Sequence, residues 1–364
     1  RIIGVVCRDR AKDEPVEIHA DLVINAAGAW ASKIAAMAGI SIPVICSKGS
    51  MIATHHRIIN TVILRMRWPS DCDSVLPCHS VSVLGCTDVI VDDPDRFGVE
   101  PGEIDVILEE CGQLVPAVRD MRKIRAWAGI RPLYRATDVE GSTGRQLSRS
   151  HVILDHETLE GVSGMLTIVG GKWTTYRLMA EQVVDQVCTR FGTVRECRTH
   201  LELLPGGENG TYHWQAAPLA RIEATHPSDQ LVCECEMVTQ ADVERSLLEE
   251  HARTIDDVRR STRLGMGTCQ GGYCTYRVAG LMHKIRRPPV EETNVALRDF
   301  VQERWKGIVP IVAGEQLRQM RFNELILRDL FNVDHLPGPR SSELGGVTMY
   351  QPSGLNDIGQ ARST

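Results

Sequence analysis

The sequence predicts an α+β or α/β domain followed by a small helical unit built around four cysteines. Three observations carry that prediction. Strand-like and helix-like segments alternate over residues 1–190. The alternation dissolves over 191–230 into TVRECRTH, PGGENGTYHWQ and THPSDQ, which reads as a linker. Cys233-x-Cys235 and Cys269-x4-Cys274 then fall inside a compact unit, 231–287, that carries helix-start signals of its own.

In chain order, IIGVVCR and VEIHADLVINAAG are β-rich and separated by charged turn residues. WASKIAAMAG follows at helical spacing and stops at Gly39. EIDVILEECGQLV is an amphipathic helix closed by Pro116. GMLTIVGG is a short apolar strand with glycines at its end, and it leads into WTTYRLMAEQVVDQVCTRF, a helix of several turns. In the cysteine unit, Thr239 with Asp242 and Thr254 with Asp257 form two T-x-x-D capping signals, and YRVAGLMHKI after Cys274 makes a third helix. A helical and mixed extension occupies 288–335, and the Gly/Ser/Pro-rich 336–364 is expected to be a disordered tail.

At 364 residues the chain has room for two domains. Its net charge of −6 comes from interspersed acids and bases, with no basic stripe of the kind nucleic acid requires. Nothing approaches the roughly 18 consecutive apolar residues of a membrane span. The first residue is arginine and RIIGVVCRDR reads as a strand already under way. The expectation is therefore a fragment without its N-terminal part, any targeting signal having gone with it. Eight of the twelve cysteines (Cys7, Cys46, Cys72, Cys78, Cys86, Cys111, Cys188 and Cys197) lack ligand spacing and read as small buried or half-buried hydrophobes. Together they suit a reducing compartment, most simply the cytoplasm.

Two stretches have the form of anion or cofactor sites. In TIVGGKWTTYR, Gly170 and Gly171 let a ligand approach the backbone. The following helix start presents free N–H groups, and Lys172 adds a full positive charge. In INAAGAW, Ala26, Ala27 and Gly28 leave room at a second strand–turn–helix, although a tight packing turn explains the same residues. Arg131 precedes a proline in AGIRPLYR and so sits in extended backbone, and Arg149 follows in LSRSH. Arginine forks receive phosphate or carboxylate, and solvated arginines are the plain alternative. His55 and His56 have no acid partner nearby in sequence and read as surface or packing residues.

The four cysteines Cys233, Cys235, Cys269 and Cys274 read as one ligand set. The C-x-C pair projects both sulfurs to one side of an extended strand, and the C-x4-C pair runs into a helix whose positive end favours thiolate. Structural zinc uses C-x2-4-C knuckles, so this spacing favours an iron–sulfur centre over zinc.

INAAGAW, SKGSM, AGIRPLYR, LSRSH and IVGGKWTTYRLMAE, in this order, resemble the FAD-dependent glycerol-3-phosphate dehydrogenases. LVCECE with GMGTCQGGYC resembles the bacterioferritin-associated-ferredoxin (BFD) type of [2Fe–2S] domain. The two together, with ERWKGIVPI behind them, resemble the large subunits of the anaerobic members of that family. The implied fold is the C-terminal part of a DAO-type FAD-dependent oxidoreductase with a small helical BFD-like domain attached. The family's G-x-G-x-x-G, which opens its Rossmann-like FAD domain, does not occur here. The resemblance implies that Ala26, Ala27, Gly28, Gly170, Gly171, Lys172 and Thr174 lie against flavin. It also implies that Arg131, Arg149 and Lys172 bind the substrate phosphate or polarise its oxygen. Met51 stands where aerobic relatives carry a histidine after K-G-S.

The implied reaction is oxidation of sn-glycerol 3-phosphate to dihydroxyacetone phosphate. Electrons would leave through a [2Fe–2S] cluster to two partner subunits, one a second flavoprotein and one a membrane-anchoring iron–sulfur protein, and then to quinone. That places the chain at the inner face of the cell membrane through its partners. Two other readings stand beside it: an opine or amino-acid dehydrogenase on the same flavin fold, and a non-catalytic metal-binding interaction module.

Overall fold

The structure, a computed structural model, describes residues 1–9, 13–65, 74–135, 150–204, 217–225 and 230–330, with 332 and 335. Arg149, Cys72 and the expected tail at 336–364 lie outside them. The chain opens with an antiparallel hairpin, β1 (Gly4–Asp9) and β2 (Glu14–His19), in register Gly4↔His19. Both its faces are largely exposed, which is why Cys7 is exposed and not the buried hydrophobe its type suggested. The segment VEIHADLVINAAG is two strands, not one. After β2 the backbone changes partner, Ala20 N–H bonding Ile3 and Val23 N–H bonding Gly164, and β3 (Val23–Asn25) enters another sheet. A 3-10 turn at Gly28–Trp30 then leads into α1 (Ala31–Met37), which ends at Gly39 with φ +74°.

Next comes the largest layer, a six-stranded antiparallel sheet. Its spine is β4 (Val44–Thr54), which pairs along its whole length with β9 (Lys123–Tyr134), from Val44↔Tyr134 to Thr54↔Lys123. The other edge of β4 takes β7 (Val81–Gly85) and β8 (Val89–Val91), and β6 (Ser74–Cys78) and β5 (Ile63–Leu64) continue outward from β7. The helix α2 (Pro101–Leu114) starts in a capping box, Glu100 with Glu103, and has proline at its first position. Ile104, Ile107 and Cys111, three and four residues apart, bury against Ile52, Val75 and Leu84 of the sheet.

A second, three-stranded sheet has the order β10-β11-β3, with β10 (His151–Asp155) antiparallel and β3 parallel to β11 (Met165–Gly170). A short helix, α3 (His156–Glu160), joins β10 to β11 through Gly161. After β11 a 3-10 turn at Trp173–Thr175 precedes α4 (Tyr176–Arg190). Residues 193–204 carry no helix or strand, as a linker should, but α5 (Ala217–Thr225) stands inside the same stretch. Its Arg221 pairs with Asp242 at 2.8 Å, an attachment that linker-like composition concealed.

The cysteine unit holds a small ladder, β12 (Leu231–Cys233) with β13 (Val238–Thr239), and three helices: α6 (Gln240–Leu248), α7 (Ile255–Thr262) and α8 (Cys274–Arg286). Both T-x-x-D signals are capping boxes, at Thr239/Asp242 and Thr254/Asp257. The long α9 (Val290–Ile308) is followed by α10 (Glu315–Glu324). Leu297 and Phe300 of α9 are buried among Val243, Leu247, Ile255, Val258, Leu264 and Val278, so the extension shares the core of the cysteine unit. The same helix lies close on β9, where a Cβ at Gly307 would stand 2.9 Å from the Ala126 carbonyl.

Phe300 is 1 % exposed and packs on Gly265 and Gly271, the hinges of the cysteine loop. Phe300→Ala should cost about 3–5 kcal/mol in urea unfolding of the full chain. A loss below about 1 kcal/mol would show that α9 is not part of this core.

Candidate active site and metal centre

The two turns singled out in the sequence lie side by side. Strands β3 and β11 are parallel neighbours, with Val23 opposite Met165 and Asn25 opposite Thr167, so both chains leave the sheet at the same end. Each passes through a 3-10 turn into a helix. Two helix starts thus open at the carboxyl ends of adjacent parallel strands, the position at which α/β sheets bind nucleotide-like ligands.

Asn25 locks this corner and was not singled out in the sequence. It is 3 % exposed; its Nδ2 donates to the Ala31 carbonyl at 2.9 Å and to Thr167 Oγ1 at 3.3 Å, and its Oδ1 accepts from Ala27 N–H at 3.2 Å. Thr167 is tied in turn to the buried His156 at 2.8 Å. The only hint in the sequence was a polar residue ending an apolar strand.

Gly170 and Gly171 both have positive φ, and the protein's own atoms crowd them. A Cβ would stand 2.6 Å from the Ser150 carbonyl at the first and 2.5 Å from Met179 Sδ at the second. Gly28, with φ +57°, has nothing within 4 Å of the corresponding position, so room for a ligand lies on its side. Ala26, Lys172 and Thr174 are exposed and Ala27 is half-buried. The Lys172 carbonyl accepts from Thr175 Oγ1 at 2.9 Å, and its ammonium forms no ion pair among the described residues.

Arg131 is extended as expected, but its fork is not open. Nη1 donates to Ser47 Oγ at 2.9 Å, and Nη2 donates to the Thr87 carbonyl at 2.9 Å and to Cys86 Sγ at 2.7 Å. It lies over Gly49, where any Cβ would be 2.4 Å from Nη2. Ser47 is itself held by Asp88 at 2.6 Å. A phosphate would have to replace these neighbours, and the sequence could not show them because they come from segments 44 to 84 residues away. Met51 packs over Gly85. His55 and His56 touch each other, 2.8 Å between ring nitrogens, and His55 lies 3.3 Å from the Arg122 carbonyl. Burial, then the His56 charge, hold His55 below its ordinary pKa.

The lysine of SKGSM is deeply buried. Lys48 donates to Glu103 at 2.8 Å and to the Gly98 carbonyl at 2.7 Å. Glu103 also accepts from Ser50 Oγ, Thr87 Oγ1 and the Glu100 N–H. Burial alone would raise the Glu103 pKa, yet the bonds from Lys48 and these donors outweigh it and hold the group below its ordinary 4.5. Its contribution to stability is therefore complete above that pH and fades as pH falls through the lower folded value.

The four cysteines meet in a row. Cys274 begins α8, Cys233 ends β12, and the thiol contacts run from Cys274 to Cys233, to Cys235 and to Cys269, with Cys235 and Cys269 sulfurs 3.6 Å apart. Backbone N–H groups of Gly265, Gly271 and Tyr273 reach these sulfurs. Gly267 makes the approach possible, since a Cβ there would be 2.4 Å from that of Cys235.

Three of these thiols, Cys233, Cys235 and Cys269, are biased toward the protonated form. At Cys233 the bond from Cys235 favours thiolate, but the bond to Cys274 and burial outweigh it and push its pKa up to about 12. Cys269 is raised by its bond to Cys235 and by burial, and Cys235 by its bond to Cys233. Metal must displace protons here. Among the described residues no three His, Cys, Asp or Glu side chains are set to hold a single metal ion. A row of four thiols with N–H donors suits a two-iron centre, where protein sulfurs are divided between two metals.

Both sites belong to one body of contacts. Arg122, immediately before β9, donates to Thr268 at 3.2 Å and Gln316 at 3.1 Å, and Ser80 donates to Glu236 at 2.5 Å. No described helix is long and apolar enough to cross a membrane.

Two family models match the chain. Residues 1–177 match the FAD dependent oxidoreductase family model and 231–284 match the BFD-like [2Fe-2S] binding domain. The chain is 35 % identical over 356 residues to an anaerobic glycerol-3-phosphate dehydrogenase subunit of Escherichia coli K12, covering 92 % of this chain and 65 % of that protein. It is 36 % identical over 352 residues to an anaerobic glycerol-3-phosphate dehydrogenase subunit of Haloferax volcanii, covering 91 % and 59 %. It therefore spans less than two thirds of these relatives. The glycerol-3-phosphate dehydrogenase of Bacillus halodurans, solved with FAD, shares the fold with a TM-score of 0.56 at 19 % identity, over 86 % of this chain and 67 % of that one.

Glu103→Gln leaves Lys48 buried without its counter-charge and should lower stability at neutral pH by about 3–5 kcal/mol. Chemical unfolding from pH 7 down to pH 3 should show a shallower acid loss in the variant than in the parent, and parallel curves would refute the assignment.

Proposed function

Residues 1–177 match the FAD dependent oxidoreductase family model and residues 231–284 the BFD-like [2Fe-2S] binding domain, and from that premise we propose that the chain oxidises sn-glycerol 3-phosphate to dihydroxyacetone phosphate. The observation that carries this reading is the junction, in one chain, of the paired turns after β3 and β11 with the four-thiol row, through Arg122 and Thr268. The similarity to the anaerobic glycerol-3-phosphate dehydrogenase subunits supports the choice of substrate.

FAD supplies a two-electron hydride acceptor when bound, and the cluster supplies a one-electron outlet. The residues present fit both groups: Gly28 opens onto free space at the strand ends, and the four thiols lie in contact. Ala26, Ala27, Gly28, Gly170, Gly171 and Thr174 would line the flavin side. Lys172, an ammonium with no carboxylate partner described, would hold the substrate anion or the negative charge that develops on the C2 oxygen as its proton leaves. Arg131 and Arg149 would take the phosphate, Arg131 by exchanging Ser47 and Thr87 for phosphate oxygens. Met51 has no titratable group, so the hydroxyl proton goes to another base.

In this reading electrons pass to partner subunits, one a second flavoprotein and one a membrane-anchoring iron–sulfur protein, and then to quinone. The chain would be held at the inner face of the cell membrane by those partners.

The test uses full-length protein. Glycerol 3-phosphate should bleach the flavin absorbance, and bleaching by opines or amino acids with none by glycerol 3-phosphate would overturn the reading. Lys172→Met should lower kcat/KM on the order of a hundredfold while flavin content changes little. Cys269→Ser should abolish the visible cluster bands, and retained bands would remove Cys269 from the ligand set.

A further inference from the structure

Two guanidinium groups between β9 and α9, of the buried Arg304 and the half-buried Arg125, form no ion pair among the described residues. Arg304 on α9 is 5 % exposed, its charge 5.9 Å from the Phe300 ring centre, and its Nε has no hydrogen-bond partner among the described residues. Arg125 on β9 is its neighbour, and Arg125 Nη1 also lacks a partner. The nearby carboxylates are engaged elsewhere, Asp256 with Arg259 at 2.7 Å and Glu303 with Lys306. Burial first, then the charges of Arg125 and Arg259, bear against the charged form of Arg304. An unpaired buried cation is among the costliest arrangements a core can hold.

The geometry around these groups points to the anion they would face. Arg304 donates through Nη2 to Gln270 Oε1, and Gln270 is held in place by the Met266 and Gly267 carbonyls at 3.0 and 2.9 Å. Gln270 adjoins Cys269, and Cys274 is within electrostatic reach of Arg304. On the other side, Arg122 bonds Thr268, also next to Cys269, and feels the charge of that cysteine. Arg304 and Arg122 thus reach the loop that carries Cys269 and Cys274 from two sides, through Gln270 and Thr268, and Arg125 stands behind Arg304. With four thiolates, two ferric irons and two sulfides the centre would be dianionic, and one further electron from the reduced flavin would make it trianionic.

We propose that Arg304, Arg125 and Arg122 form a cationic collar matched to the loaded cluster, favouring the loaded over the empty site and the reduced over the oxidised cluster. The collar would thereby raise the cluster's reduction potential, because net charge around the sulfurs is one of the quantities that sets it. Two of the three arginines come from the β9 strand or its leading edge, so docking of the oxidoreductase sheet would itself tune the electron outlet. This inference rests on the cluster reading above.

The test is a potentiometric titration of full-length protein carrying FAD and cluster, followed by the electron paramagnetic resonance signal of the reduced cluster. At an ambient potential equal to the wild-type midpoint, Arg304→Met should lower the reduced-to-oxidised ratio about tenfold, equivalent to 59 mV for a one-electron couple. Arg122→Gln, at a partly exposed site, should lower it less, and Arg304→Lys should stay near wild type. In chelator-treated protein the same Arg304→Met should raise the thermal midpoint, a sign opposite to its effect on cluster retention. If Arg304→Met does not fold, Arg122→Gln decides. Wild-type ratios in the neutral variants, or an equal fall in Arg304→Lys and Arg304→Met, would overturn the collar alone. Wild-type protein without the signal and without acid-labile sulfide would overturn the cluster reading and the collar with it.

Discussion

The antiparallel pairing of β4 with β9 is the constraint on which both halves of the molecule depend. It runs without interruption from Val44↔Tyr134 to Ala53↔Arg125, and irregularly to Thr54↔Lys123. One end of β9 carries Tyr134 into the cluster of Ala35, Ile40 and Met165, which places the sheet against α1 and β11, and so beside the paired turns. The other end presents Arg122, Arg125 and Ala126 to the loop before Cys269 and to α9. A slip of one residue would turn each of these side chains to the opposite face. Register in this one strand pair therefore sets where the cationic side chains stand relative to both sites.

Buried charge is handled in two different ways across that sheet. Lys48 and Glu103 satisfy each other and have further donors and acceptors around them, so the protein supplies the whole network. The network fastens the start of α2 to β4 and asks nothing of a ligand. Arg304 and Arg125 have no such completion among the described residues. The contrast is informative because burial is comparable, 4 % exposure for Lys48 against 5 % for Arg304, while partnering is opposite. A finished network reads as scaffold, and an unfinished one beside four thiols reads as part of a site.

Legibility in the sequence followed the range of the interaction. The capping boxes at Thr239 and Thr254, the stop of α1 at Gly39 and the apolar face of α2 were readable because their partners lie within one or two turns. The long β4 and β9 pairing was not, because neither strand shows which distant segment will complete it. The helix containing Arg221 was hidden in a stretch with linker composition, since its ion pair to Asp242 comes from 21 residues along the chain. Arg131 was legible as an extended arginine, but its occupied fork depends on Ser47, Cys86 and Thr87. Asn25 gave almost no signal, since a strand-end asparagine acquires its role only when Thr167 arrives from 142 residues away.

The sequence by itself determined the parts: two strand–turn–helix motifs with small residues at the turn, four cysteines in C-x-C and C-x4-C spacing, and the helices that frame them. Those features arise from backbone conformations and side-chain reach over a few residues, which local residue types dictate. The tertiary structure decided which parts share a site. It set the two turns on adjacent parallel strands, closed the Arg131 fork, brought the four thiols together and carried Arg122 to the cysteine loop. Each of these depends on burial and on charges from segments far apart in the chain, and neither exists until the sheets and α9 pack together.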